Sequence, residues 1–372
     1  MLVRYTKSQD GKPVKQAEVY TKEEHGLTLD QIDPDALFIT RKLRAAGFEA
    51  YIVGGAVRDL LLGRKPKDFD VVTDAHPRAI KKVLPFSRLI GKRFRLVHVY
   101  FPGEKIIEVA TFRSSVNGDN NTFGTLEEDA KRRDFTLNAL YYCPQEQQII
   151  DQVGGVRDIR QRKLVNVIPL DRIFDEDPVR MLRGLKYATT GKLTLSSSLS
   201  RKIREKAPLL KGMSPARLTE EFYKILFCGM AEPIFAALTK YQLLEHMSAG
   251  FGKALKSRLF NPAPRELSEG LALLDSAVLA GHSLDRSSAL TYVIAPWLEQ
   301  QQWSKKATTE NFQELILALK EFFHPLLPSN AELENALRSL YRVWAVRPPR
   351  RKRPQRKRTF HKEPVPKEPK PM

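Results

Sequence analysis

Asp68 and Asp70 flank a single residue in the run Lys67-Asp68-Phe69-Asp70-Val71. Residues i and i+2 of a strand point to the same face, so the two carboxylates project together from the entry of a strand read over Phe69–Thr73, about 7 Å apart at Cα. Two acids so placed repel each other and resist desolvation unless a cation joins them. Magnesium takes oxygen ligands and tolerates substrate phosphates in its shell, so it is the natural counterion. An Asp-x-Asp pair alone is most often solvated surface charge, and Val72 in the next ligand position argues against an EF-hand loop. Glu108 adds weight, because it interrupts the apolar run Ile106-Ile107-Glu108-Val109-Ala110-Thr111-Phe112. It either faces solvent across a sheet or joins the pair. If its strand lies beside that of Asp70, three carboxylates converge and can hold two metal ions roughly 3.5–4 Å apart, one activating a hydroxyl and the other stabilising a leaving phosphate.

The elements that position these acids are legible as patterns. Asp33-Pro34 reads as an N-cap with proline in the first turn, opening a helix that runs through Leu43 and stops near Gly47. A short strand over Glu49–Val53 leads into the turn Gly54-Gly55 and a helix over Ala56–Leu62. Such a turn offers backbone N–H groups to an anion, and Arg58 adds charge nearby, although a Gly-Gly pair alone is usually an ordinary turn. No GxxxxGK[ST] loop and no GxGxxG fingerprint is present. Pro77–Leu84 reads as a helix, and Leu96–Phe101 and Lys105–Phe112 flank a Pro-Gly-Glu hairpin turn. The stretch Ser114–Thr125 has the composition of a mobile surface loop. Farther on, Ala216–Phe227, Ala231–Tyr241 and Thr309–Phe323 show helical spacing.

The expected organisation is a flexible arm over 1–33, an α/β head with a mixed or antiparallel sheet over 34–150, an all-α neck and body over 151–215 and 216–346, and a disordered basic tail over 347–372. The 372 residues are 42% hydrophobic and 28% charged, values of a soluble globular protein, and no apolar run approaches a membrane span. The start of the sequence, MLVRYTKSQDGK, lacks the apolar stretch of a secretory signal. Two distant cysteines, Cys143 and Cys228, build neither a disulfide framework nor a CxxC site, which points to the cytoplasm. The formal charge is +19, and the eleven Lys/Arg and two Glu from Arg347 to Met372 supply +9 of it. A chain this basic suits a polyanion, most often nucleic acid, and the tail residues Arg350, Arg351, Lys352, Arg353, Arg356, Lys357 and Arg358 are the candidate RNA contacts.

Gly54-Gly55-x-Val57-Arg58-Asp59 with Asp68-x-Asp70 resembles the signature of the nucleotidyltransferase family that includes tRNA CCA-adding enzymes and bacterial poly(A) polymerases. Further matches follow in the family's order. Thr111-Phe112-Arg113 closes the Glu108 strand, and Arg132-Arg133-Asp134-Phe135-Thr136-Leu137-Asn138-Ala139 resembles a ribose-reading motif. Asp151-x-Val153-Gly154-Gly155-x-x-Asp158 resembles the joint to the neck, and Glu176-Asp177-Pro178-Val179-Arg180-Met181-Leu182-Arg183 the base-selecting helix. Asp177 and Arg180, at i and i+3, share one helix face. A carboxylate and a guanidinium there could read a base edge, or form a plain surface ion pair.

The resemblance, which covers about residues 35–225, implies template-independent transfer of nucleotides to RNA 3′ ends with two Mg²⁺ and release of pyrophosphate. It implies Asp68, Asp70 and Glu108 as the catalytic acids, the first two as metal ligands. The implied nucleotide site comprises Gly54, Gly55, Arg58, Arg113, Arg133, Asp134, Asn138, Asp177 and Arg180, with Asn138 near the ribose. The run from Leu89 to Val99 and the basic tail resemble the poly(A) polymerase branch, which uses ATP alone. Lys186-Tyr187 departs from the arginine and phenylalanine expected there, and the loop after Arg113 is short. The alternatives are a CCA-adding enzyme using CTP and ATP, and a non-catalytic RNA-binding protein.

Overall fold

Thirteen strands and a long run of helices are resolved in a computed structural model, which describes residues 2–7, 13–91, 96–114, 122–248, 250–252 and 265–350. In chain order the strands are β1 Leu2–Lys7, β2 Pro13–Tyr20, β3 Ala50–Val53, β4 Asp70–Thr73, β5 Ser87–Ile90, β6 Leu96–Tyr100, β7 Ile106–Thr111, β8 Arg113–Ser114, β9 Thr122–Phe123, β10 Leu140–Cys143, β11 Gln148–Asp151, β12 Lys163–Leu164 and β13 Thr194–Leu195. Nine of them form one sheet in the order β1-β2-β11-β10-β3-β4-β7-β6-β5. Every pairing in it is antiparallel except β4 with β7. The head is therefore the mixed sheet that the sequence predicts.

Alternation divides the sheet into two faces. Ile52, Val71, Ile107 and Val109 pack with Ile39 and Leu43 of the helix Pro34–Ala45 in the main core. Tyr51, Val53, Val72, Phe112 and Tyr141 point the other way into a second cluster with Ala130 of the helix Leu126–Lys131. Asp70 and Glu108 share the face of this second cluster, each on a strand whose next residue turns into the main core. From Ile173 onward the described chain is essentially helical, and the main core runs unbroken from the sheet through Leu185 and Phe222 to Leu337. Among the described residues no helix is long and apolar enough to cross a membrane.

The expected flexible arm over 1–33 is corrected by the structure. β1 pairs with β2, β2 pairs with β11, and Ala17, Val19 and Tyr20 are buried. The period-2 signal over Ala17–Tyr20 spans only four residues and follows a Lys-rich stretch, which masks it. The mobile loop expected over Ser114–Thr125 lies outside the described residues from 115 to 121; its flanks pair as β8 and β9. In the Leu89–Val99 element, 92–95 lie outside them, and the rest pairs β5 with β6 through Leu89↔Val97. Of the basic tail, residues 351–372 lie outside the described residues; Arg350 is exposed.

The turn after β11 shows why Asp151 and Gly155 occupy their positions. Both oxygens of the buried Asp151 carboxylate accept from backbone N–H groups, those of Val153, Gly154, Gly155 and Val156, at 2.7–3.1 Å, which caps the helix Gly155–Arg160. A Cβ at Gly155 would collide with the carbonyl of Thr136, the central residue of the Asp134–Asn138 segment. Gly155→Ala is expected to cost about 1–3 kcal/mol through overpacking. A lower denaturant or thermal midpoint checks this, and an unchanged midpoint would show that the Thr136 backbone yields.

Candidate active site

A cleft of about 560 Å³ lies between the Gly54-Gly55 turn, the start of β4, the helix Val179–Gly191 and the helix Pro215–Leu226. Asp68 and Asp70 both line it. Only Asp70 is on β4; Asp68 belongs to the preceding loop, so strand geometry does not set their separation. Water reaches both carboxylates, but the cleft walls displace much of the solvent around Asp70. That crowding, then the charges of Glu108 and Asp68, push its carboxyl up to about 6 against the opposing pull of Arg133 and Lys224.

Glu108 reaches the neighbourhood through the one parallel pairing. Val71 sits opposite Val109, so the residues before them, Asp70 and Glu108, are neighbours on one sheet face. The Glu108 carboxylate lies 3.4 Å from His98 Nε2 on β6 and does not line the cleft. The acids share a sheet face, and among the described residues no group of three His, Cys, Asp or Glu side chains is arranged to hold a metal ion.

The remaining predicted residues divide in two. Gly54, Gly55, Arg58, Arg133 and Asn138 line the cleft. Gly54 has φ +69 at the turn, which a side chain resists. Arg58 holds Asp59 through Nε and Nη2 and donates through Nη1 to Asn138 Oδ1 at 2.8 Å. Asp134 is buried behind them and accepts from Asn138 Nδ2 at 2.9 Å. Arg113, Asp177 and Arg180 are not in the lining. Arg113 is half-buried, and burial followed by the charges of Arg132 and Arg133 lowers its pKa. Asp177 pairs with Arg217, while Arg180 holds Glu176 and the Ile173 carbonyl, each at 3.0 Å, and lies 3.9 Å from Asp177.

Sequence reasoning stopped one turn short on that helix. Arg183, Lys186, Tyr187 and Thr190 line the cleft at spacings of three and four, a single helix face that extends from Arg180. Glu221 and Lys224 approach from the Pro215–Leu226 helix. Eight basic side chains line the cleft (Arg58, Arg64, Lys65, Lys67, Arg133, Arg183, Lys186, Lys224) against four acids (Asp59, Asp68, Asp70, Glu221), an excess that suits a polyphosphate.

Asp129 was also missed. It is fully buried and receives Arg132, Arg133, the Tyr141 hydroxyl at 2.8 Å and the Arg113 backbone N–H at 3.2 Å. Its spacing of three and four from Arg132 and Arg133 was the available signal. Burial raises its pKa, but the guanidiniums of Arg133 and Arg132 outweigh that and hold it down at about 2. In the acid window the folded state therefore binds fewer protons than the unfolded chain. The contribution is complete above about pH 4 and is lost as pH falls toward 2. Asp129→Asn leaves two guanidiniums without their buried partner and is expected to cost about 3–5 kcal/mol. Urea midpoints measured between pH 3 and 7 should fall with acid less steeply in the variant than in the parent; parallel curves would remove Asp129 from this role.

The chain matches the family described as the poly A polymerase head domain over residues 50–165, and the probable RNA and SrmB-binding site of polymerase A over residues 192–251. Poly(A) polymerase I of Escherichia coli is 35% identical over 342 residues, covering 87% of this chain and 72% of that protein. The CCA-adding enzyme of Bacillus licheniformis is 36% identical over 235 residues, covering 60% of this chain and 59% of that protein. The crystal structure of the Bacillus stearothermophilus CCA-adding enzyme in complex with CTP superposes with a TM-score of 0.56 at 28% identity, covering 84% of this chain and 83% of that one. Similarity of this extent to both branches settles membership: the chain belongs to the nucleotidyltransferase family of poly(A) polymerases and CCA-adding enzymes.

Proposed function

We propose that the chain is a cytoplasmic poly(A) polymerase, which transfers AMP from ATP to RNA 3′ ends and releases pyrophosphate. The observation that carries this over the CCA-adding reading is extent. The likeness to poly(A) polymerase I of E. coli runs through 87% of the chain, whereas that to the CCA-adding enzyme of B. licheniformis runs through 60%. The basic segment Arg350 to Arg358 fits a general hold on RNA phosphates. The CCA-adding reading keeps support from the structural likeness to the B. stearothermophilus enzyme.

The donor set fits magnesium: Asp68 and Asp70 offer only oxygens, and the raised Asp70 carboxyl marks a place where negative charge lacks compensation. Asp68 and Asp70 would hold the metal, with Glu108 beside them; a magnesium ion there would lower the pKa of the attacking hydroxyl and stabilise the leaving pyrophosphate. The protein's own contribution is placement. Arg58, Arg133, Arg183 and the lysines of the cleft neutralise the triphosphate, and the Gly54-Gly55 turn lets backbone approach it closely. Asn138 provides an uncharged amide for the ribose, with Asp134 behind it. The 3′-hydroxyl of RNA attacks the α-phosphate in line. Base choice falls to Asp177 and Arg180 only once their contacts with Arg217 and Glu176 open; Arg113 acts from outside the cleft lining.

Asp70→Asn keeps the shape and removes the charge. Transfer should fall at least ~10³-fold, about 4 kcal/mol of transition-state stabilisation. Near-parental turnover in saturating magnesium would remove Asp70 from the chemistry.

Given ATP alone and a short RNA without a tRNA fold, the protein should add a run of adenylates, resolved on a denaturing gel. If that RNA stays untouched while tRNA lacking its terminus gains C, C and A, the CCA-adding reading replaces this one.

A further inference from the structure

Five side chains of the cleft close into a ring. Arg58 Nη1 donates to Asn138 Oδ1 at 2.8 Å, and Asn138 Nδ2 donates to Asp134 Oδ1 at 2.9 Å. Asp134 Oδ2 pairs with Arg183 Nη2 at 2.8 Å, and Arg183 Nε donates to the Tyr187 hydroxyl at 3.4 Å. The guanidinium of Arg58 lies over the Tyr187 ring at 4.5 Å, which completes the circuit. The ring spans three parts of the chain: the helix Gly55–Leu61, the segment 134–138 and the helix Val179–Gly191. Four of its five members line the cleft, and the fifth, Asp134, is buried behind it.

Each link restricts the next. Arg183 is engaged at two separate nitrogens, by an ion pair to Asp134 through Nη2 and a hydrogen bond to Tyr187 through Nε, so rotation of its planar fork disturbs one of them. Asn138 is held at both ends of its amide, which fixes which end is oxygen and which is nitrogen. Tyr187 acts twice, as an acceptor for Arg183 and as a face for Arg58. Burial raises its phenol, but Arg183 and Lys186 outweigh that and bring it below its ordinary value, in keeping with an oxygen that accepts from cations.

We infer that Tyr187 is a positioning residue that sets recognition of the nucleotide sugar, by holding Arg183 on Asp134 and Arg58 on Asn138 so that the Asn138 amide meets a sugar hydroxyl in one orientation. An amide that both donates and accepts matches a hydroxyl, whereas the surrounding charges match phosphate. The inference rests on the nucleotide-binding reading of the cleft and deepens it.

The experiment uses the full chain with Tyr187→Phe, which keeps the ring, and Tyr187→Leu, which removes it. ATP and 2′-deoxy-ATP incorporation are measured on an oligonucleotide and on tRNA ending in CC, so either branch of the family gives a readout. Tyr187→Phe should raise KM for ATP about 3–10-fold while kcat falls less, and should lower the preference for ATP over 2′-deoxy-ATP by a similar factor. Tyr187→Leu should lose more of both. Unchanged KM and preference in Tyr187→Phe overturn the inference. So does a loss of kcat and thermal midpoint with the preference intact, because that is mere packing. If the parent extends neither primer, the catalytic reading fails. Calorimetric ATP binding then decides: equal affinity in parent and Tyr187→Phe overturns the inference, and weaker binding in the variant supports it.

Discussion

A carboxylate with no exposure to water costs free energy unless charge meets it, and Asp129 is met by two guanidiniums and a phenol. That arrangement does more than satisfy a buried acid. Arg133, drawn toward Asp129, also donates to the Asn138 carbonyl at 3.3 Å and lines the cleft beside Gly54. One buried charge thereby fixes where a cleft cation sits and steadies the segment that carries Asp134 and Asn138. Tyr141 belongs to β10, which pairs with β3, the strand that leads into the Gly54-Gly55 turn. The same acid thus links the sheet centre to the Gly54-Gly55 side of the cleft.

The second constraint is the parallel pairing of β4 with β7 inside an otherwise antiparallel sheet. A parallel neighbour needs a crossover, and here the chain passes through the helix Pro77–Val83 and the β5–β6 hairpin before returning as β7. The reward is that Asp70 and Glu108 enter the sheet side by side from the same end. Antiparallel neighbours would have run in opposite directions, with Glu108 set by a different register. Loss of solvent around Asp70, followed by the charges of Glu108 and Asp68, raises its carboxyl.

Much of this was legible because local chemistry and the final fold agree. Helix boundaries at Pro34, Pro77 and Ala231, and the hairpin of β6 with β7, fell within a few residues of the pattern, since proline, glycine and apolar period mark them strongly. β1 and β2 escaped because LVRYTK and PVKQAEVY mix polar and apolar residues with only a weak alternation, and β1 lies at the sheet edge. Asp129 escaped because a Glu-Glu-Asp run beside two arginines reads as solvated helix charge; only the tertiary packing of Ala130 and Tyr141 buries it. Arg183 and Tyr187 were not legible as site residues because the Asp177 and Arg180 pair carries the more distinctive acid–base spacing, yet the fold occupies that pair with Arg217 and Glu176.

The cleft is therefore a shared structure rather than a property of the head. The paired acids come from the head, while Arg183, Lys186 and Tyr187 come from the next helix and Glu221 and Lys224 from the one after. Glu221 lies between Lys186 at 3.7 Å and Lys224 at 3.1 Å, so the far wall carries its own partial neutralisation. A rigid wall of unpaired cations would trap a triphosphate and resist releasing pyrophosphate. Lysines already shared with a carboxylate bind phosphate in exchange for an existing partner, which lowers the net gain and eases release. Because one continuous core ties sheet to helices, these opposing charges are held at fixed separation. The proposed repeated addition would require binding that is oriented firmly but held only moderately, and a cleft built from three packed parts with internal ion pairs suits both conditions.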